Sequence, residues 1–118
     1  MPKINIKVTL HHEEFDTLNK LTGIYQDGVL KYIEDGDTKV TLDYNNKTLL
    51  RDTKDLRMFF DFNSDLLKIN YKELDMDMDM KIKTRKFNTN KRNVEIEYEV
   101  EESKEIFLYR IEELKWVY

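Results

Sequence analysis

Cysteine is absent from this sequence, and with it go disulfides, thiolate metal sites and cysteine nucleophiles. Nothing then points to an oxidising compartment, and a cytoplasmic location is the expectation. Alanine is absent too, while Lys, Asn, Ile and Asp abound, which we read as the codon bias of an AT-rich bacterial genome. The single proline is Pro2 and there are only three glycines, so no stretch has the composition of an interdomain linker or of a phosphate-cradling loop. Long hydrophobic runs are missing. In Met-Pro-Lys-Ile-Asn-Ile-Lys-Val lysines interrupt every apolar stretch, so the N-terminus reads as neither a signal peptide nor a membrane span, and no membrane association is expected.

An excess of basic charge is also lacking. Twenty Lys and Arg stand against 24 Asp and Glu, a formal net charge of -4, which gives no general attraction to nucleic acid or to anionic lipid. The 118 residues have the size of one ordinary domain, long enough to bury a core without metal or disulfides, and residues 1–118 are read as a single domain.

What is present is alternation. From Leu74 to Thr84 the chain reads Leu-Asp-Met-Asp-Met-Asp-Met-Lys-Ile-Lys-Thr, a period of two that suits a β-strand with one buried face. Ile4, Ile6, Val8 and Leu10 alternate with Asn5, Lys7 and Thr9 in the same way. Gly28, Asp35-Gly36, Asn45-Asn46 and Asn63-Ser64-Asp65 then separate apolar runs around residues 29–33, 40–44 and 56–62, as hairpin turns would. The spacing predicts an all-β, up-and-down meander closing into an antiparallel barrel of about eight strands. Phe15, Leu18 and Leu21 fall three apart, which fits a short amphipathic helix as well as a bulged strand.

Register can be read from side-chain agreement across strands. A loop at Asn88-Thr89-Asn90 sets Met78 against Val100, Met80 against Tyr98, Ile82 against Ile96 and Thr84 against Val94. Lys81 then meets Glu97 and Lys83 meets Glu95 on the other face. A second loop at 102–105 sets Val100 against Phe107, Tyr98 against Tyr109 and Ile96 against Ile111, with Arg110 beside Glu97.

Thr22-Gly23-Ile24-Tyr25, Val29-Leu30-Lys31-Tyr32-Ile33-Glu34, Tyr71-Lys72-Glu73-Leu74 running on to Lys83-Thr84, and Val94-Glu95-Ile96-Glu97-Tyr98 together resemble the YwiB-like proteins, a family of small, functionally uncharacterised bacterial proteins. The resemblance spans nearly the whole chain and rests on strand patterns. It implies a calycin-like, that is lipocalin-like, β-barrel, and it makes the segment 15–21 a strand. The short loops and the charged last strand, with Arg110 among Phe107, Tyr109 and Ile111, depart from the family pattern.

Asp75, Asp77 and Asp79 occupy the first, third and fifth places of an EF-hand loop, but Met80 and Lys86 stand where Gly and Glu are needed, so the motif fails. On a strand the three carboxylates sit about 7 Å apart on a solvated face. His11-His12-Glu13-Glu14 lacks a zinc spacing, Ser64 and Ser103 have no histidine near them in sequence, and no cofactor, metal or catalytic constellation is expected. Lys81, Lys83, Arg85, Lys86, Lys91 and Arg92 around Phe87 form the one basic concentration, half of it answered by glutamates across the strand, so nucleic acid is not an expected partner.

The barrel interior remains. Its expected residues, among them Tyr32, Met76, Met78, Met80, Tyr98 and Tyr109, are large enough to fill the barrel, yet methionines re-pack around guests and tyrosines offer hydroxyls. The expected function is an accessory binder of a small apolar or amphipathic metabolite at those six residues, the chain being a monomer or weak homodimer. The alternative is a protein-interaction or regulatory module with a filled interior. Trp116, Val117 and Tyr118 would close the barrel bottom or offer a patch to a partner protein.

Overall fold

Ten strands run consecutively around one closed antiparallel barrel in the structure, a computed structural model that describes residues 2–13, 15–34 and 36–114, without the side chain of Phe15. They are β1 (Lys3–His12), β2 (Phe15–Gln26), β3 (Val29–Glu34), β4 (Thr38–Asp43), β5 (Thr48–Asp52), β6 (Leu56–Asp61), β7 (Leu66–Tyr71), β8 (Met76–Asn90), β9 (Asn93–Val100) and β10 (Ile106–Leu114). Each pairs with its sequence neighbours, and β1 closes on β10. The up-and-down barrel follows the alternation, but with ten strands rather than about eight. The segment 15–21 is part of β2, and β5 escapes the pattern because its inward positions hold only Leu49 and then Arg51. Residues 116–118, expected to close the bottom, lie outside the described residues.

Turn chemistry explains the closely spaced hairpins. Asp27 and Gly28 both have positive φ, the geometry of a two-residue hairpin turn matched to the twist of its strands. Asp43-Tyr44-Asn45-Asn46-Lys47 and Asp61-Phe62-Asn63-Ser64-Asp65 form the same turn twice. In each the first aspartate accepts two backbone N–H bonds, Asp43 from Asn45 and Asn46 at 3.1 and 3.0 Å, Asp61 from Asn63 and Ser64 at 3.0 and 3.2 Å. Lys47 and Asp65 then take the left-handed conformation, and Tyr44 and Phe62 turn into the core. Gly23 serves a different need. A Cβ there would meet Leu30 Cδ1 at 3.0 Å and the Lys31 carbonyl oxygen at 3.1 Å, so the missing side chain lets β3 cross close over β2.

The interior is built in rows that run from strand to strand. One row is Leu30, Leu42, Leu49, Phe60, Leu67 and Met80, all apolar. The next is Tyr32, Val40, Arg51, Met58, Ile69 and Met78. Facing them from β1, β9 and β10 are Ile6, Val8, Val94, Ile96 and Ile111, all buried. Rings join the two sides: Phe60 and Tyr98 have centroids 5.4 Å apart, and Tyr98 stacks on Phe107 at 5.3 Å.

The expected registers of the last three strands are corrected. Ile82 faces Val100 and Thr84 faces Tyr98, while past a bulge at Arg85 it is Phe87 that faces Ile96 and Thr89 that faces Val94. The hairpin turns at Lys91-Arg92, with Lys91 at positive φ, rather than at Asn88-Thr89-Asn90, and the bulge adds one residue. On β10, Phe107 faces Tyr98, Tyr109 faces Ile96 and Ile111 faces Val94, a shift of two because the loop takes in Glu101. The charge pairs move accordingly. Arg85 reaches Glu99 at 2.9 Å, Lys86 reaches Glu95 at 3.2 Å, and Arg110 also pairs with Glu95, at 2.5 Å, rather than with Glu97.

Candidate ligand cavity at one end of the barrel

The two ends of the barrel differ. At one, Arg92 is held in place: its guanidinium lies 5.2 Å from the centre of the Tyr25 ring and 3.2 Å from Glu113 Oε2, while its carbonyl oxygen accepts from the Tyr44 hydroxyl at 2.6 Å. At the other, the apolar rows open into a cavity of about 570 Å³. That volume lies within the range of small-molecule sites.

Its walls come from the inner face of β1 and of β5 to β10. Met58, Phe60, Leu67 and Ile69 supply one side, Tyr98, Phe107 and Tyr109 the other, and Met80 lies between. Phe60 and Tyr98, both lining residues, meet ring to ring. Of the six side chains expected to form a site, Met80, Tyr98 and Tyr109 line this cavity. Tyr32 is buried in the core and is not part of the wall. Met76 and Met78 are corrected: they keep the inward parity but are 54% and 40% exposed, because β9 ends opposite Ile82 and the first turns of β8 run on with β7 alone.

Polar groups are few and placed. Arg51 stands in the second interior row and lines the cavity, with its Nη1 2.8 Å from Glu34 Oε2. Glu34 is itself buried, beside Thr38 on the paired strand. On the opposite lip the β9–β10 loop contributes Glu102, Ser103 and Glu105. Glu105 Oε2 lies 2.7 Å from Nε2 of the buried His12, whose ring packs at 4.6 Å on Phe107. The hydroxyls of Tyr32 and Tyr109 are buried without a hydrogen-bond partner among the described residues. Burial pushes the Tyr98 and Tyr109 phenols well above their usual range, so both stay protonated.

Arg51, Glu34, His12 and Glu105 were not among the residues expected from sequence. The available signal was parity: Glu34 continues Leu30 and Tyr32, Arg51 continues Leu49, and His12 continues Ile4, Ile6, Val8 and Leu10. A charged residue on the buried side of a strand end marks an opening. The remaining sequence candidates are surface features. Asp77 accepts from Asn70 Nδ2 at 2.7 Å, Asp75 sits in a turn, and among the described residues no group of three His, Asp or Glu is placed to hold a metal. His11 is exposed and pairs with Asp16. In the basic stretch Arg85, Lys86 and Arg92 are all in ion pairs, and Phe87 packs inward against Phe62. A depression of about 490 Å³ outside the barrel is lined by Asp65, Lys81, Lys83 and Glu99, charges of both signs. Among the described residues no helix is long and apolar enough to cross a membrane.

No protein-family model, no curated protein and no solved structure matches this chain.

Proposed function

We propose that this protein is an accessory binder that holds a small apolar or amphipathic metabolite in the open end of its barrel. The observation that carries the reading is the open end, which keeps about 570 Å³ between apolar walls, while at the other Arg92 lies over the Tyr25 ring. An interior meant only to be packed would extend its rows of large side chains to both ends. The lip adds few polar groups, as a site that orients an amphiphile needs. We propose no enzymatic role. The resemblance of the strand patterns to YwiB-like proteins and the composition favour a bacterial, cytoplasmic, calycin-like protein. The charged outer face, where Arg110, Lys86 and Glu95 meet, suits water rather than lipid.

Native mass spectrometry of freshly purified protein, followed by thermal shift with a panel of apolar and amphipathic compounds, tests this. A co-purifying small molecule, or a concentration-dependent rise in Tm for a subset of the panel, is expected. A flat response across the panel with no adduct would sink the proposal.

One observation favours a second reading, a protein-interaction or regulatory module. Leu74, Met76 and Met78 are 70%, 54% and 40% exposed on one hairpin, and residues 76–80 are hydrogen-bonded to β7 alone, leaving a strand edge open. Sedimentation of the wild type and of Met78→Lys separates the readings. Under this alternative the wild type self-associates weakly or pulls a partner from solution and the variant does not.

A further inference from the structure

We infer that the cavity selects an amphiphilic amine, its cationic group at the lip and its apolar body inward, an inference that rests on the proposed binding role. The charge balance at the opening decides the sign. Arg51 is the one cation on the wall, and Glu34 at 2.8 Å already neutralises it. An anionic head group would have to displace a buried carboxylate from its partner. Across the opening stand Glu102 and Glu105, both exposed, with His12 2.7 Å from Glu105 on the inner side. Counting Arg51, Glu34, Glu102 and Glu105, the lip carries two net negative charges with His12 neutral and one with His12 protonated. Lys81 and Lys104 line an adjoining outer depression, which shares Met80 and Glu102 with the cavity, and Asp79 and Glu101 beside them balance their charge, so these four residues leave the count unchanged. An ammonium is therefore favoured over a neutral group, and a carboxylate disfavoured, at any pH where the glutamates are ionised.

A second observation points to a ligand independently of charge. Tyr109 lines the cavity, is 4% exposed, and its hydroxyl has no partner among the described residues. A buried hydroxyl without a partner is costly, and a guest bearing one hydrogen-bonding group within its apolar body would satisfy it. Alkyl chain alone would not.

Three probes of equal chain length separate the head groups: decylamine, decanol and decanoate, titrated calorimetrically into the full chain at low salt and pH 7. Decylamine is expected to bind about tenfold more tightly than decanol, and decanoate most weakly. In the double variant Glu102→Gln/Glu105→Gln the preference of amine over alcohol should vanish while decanol binding stays. Glu102→Gln alone, which leaves the contact of Glu105 with His12 intact, should reduce it. Glu112→Gln, an outer-face change near Lys7, controls for the overall charge and should leave the preference in place. Decanoate binding as tightly as decylamine, or a preference that survives in the double variant, overturns the inference and leaves the binding role standing. Failure of all three probes removes both.

Discussion

Arg51 and Glu34 face each other at 2.8 Å on the inner side of the barrel, yet they are not equally dry: the Arg51 side chain is 29% exposed and that of Glu34 8%. The pair is thus a lip element anchored by its acid. Removing the cation strands a carboxylate that water scarcely reaches, whereas removing the acid leaves a guanidinium that can still be hydrated. Arg51→Met should therefore cost more stability than Glu34→Gln, about 3 against about 1 kcal/mol. The double variant should recover much of the loss, because neither charge is left alone. Urea unfolding of the four proteins measures this as a double-mutant cycle. Equal single losses that simply add would show the pair to be uncoupled.

Glycine positions provide a comparison of two different costs. Gly36 has φ of +82° with nothing within 4 Å of a built Cβ, so Gly36→Ala should lose about 1 kcal/mol, from backbone strain alone. Gly23→Ala has no strained φ but drives its methyl to 3.1 Å from a backbone oxygen of β3, which cannot move without parting the two strands. A loss of about 2 kcal/mol or more is expected, with faster amide exchange at Ile24 and Lys31, where β2 and β3 pair. Hydrogen exchange followed by mass spectrometry gives both readouts.

The barrel was legible in the sequence because the side-chain period of a strand is two, and an error of two or four residues in register leaves every side chain on its proper face. Met80, Tyr98 and Tyr109 reach the cavity for that reason, although each faces a different partner from the one expected. Where strands end is not a matter of parity. Nothing in the alternation of aspartate and methionine shows that β9 stops opposite Ile82, and so Met76 and Met78 read as interior when they stand outside it. The bulge at Arg85 was hidden in the same way, because its extra residue lies between Thr84 and Lys86 with no apolar signal to displace. The lip residues were missed because a charged residue at a strand end looks like the beginning of a loop.

Acid should weaken the fold through three carboxylates whose pKa values lie below their ordinary range. Asp52 is lowered chiefly by its hydrogen bond from Lys72 at 2.5 Å, Glu95 by that from Arg110, and Asp43 by the amide of Asn46. In each the folded chain holds its proton less tightly than the unfolded chain does. The associated stability is present above the unfolded values, near pH 4, and is lost as pH falls through the folded ones. Denaturant midpoints at pH 7 and pH 3 should differ, and Asp52→Asn should narrow the difference. At pH 7 that variant costs only about 0.5 kcal/mol, since the side chains concerned are partly hydrated. A gap between the two pH values that Asp52→Asn leaves unchanged would exclude Asp52 as a contributor.

The Arg92 end of the barrel should be separable from the open one. The Tyr44 hydroxyl donates to the Arg92 carbonyl at 2.6 Å, and burial, with Tyr25 and Glu113 nearby, holds the phenol protonated far above neutral pH. Tyr44→Phe removes that bond and leaves the carbonyl without its donor, a cost of about 1 kcal/mol. Arg92→Ala keeps that backbone carbonyl but loses the contact with the Tyr25 ring and the ion pair to Glu113, and should cost about 2 kcal/mol. Neither side chain touches the cavity wall, so both variants should bind an amphiphile with the affinity of the wild type once folded. A large change in affinity for either would mean that a guest runs the length of the barrel and that Arg92 guards its second end.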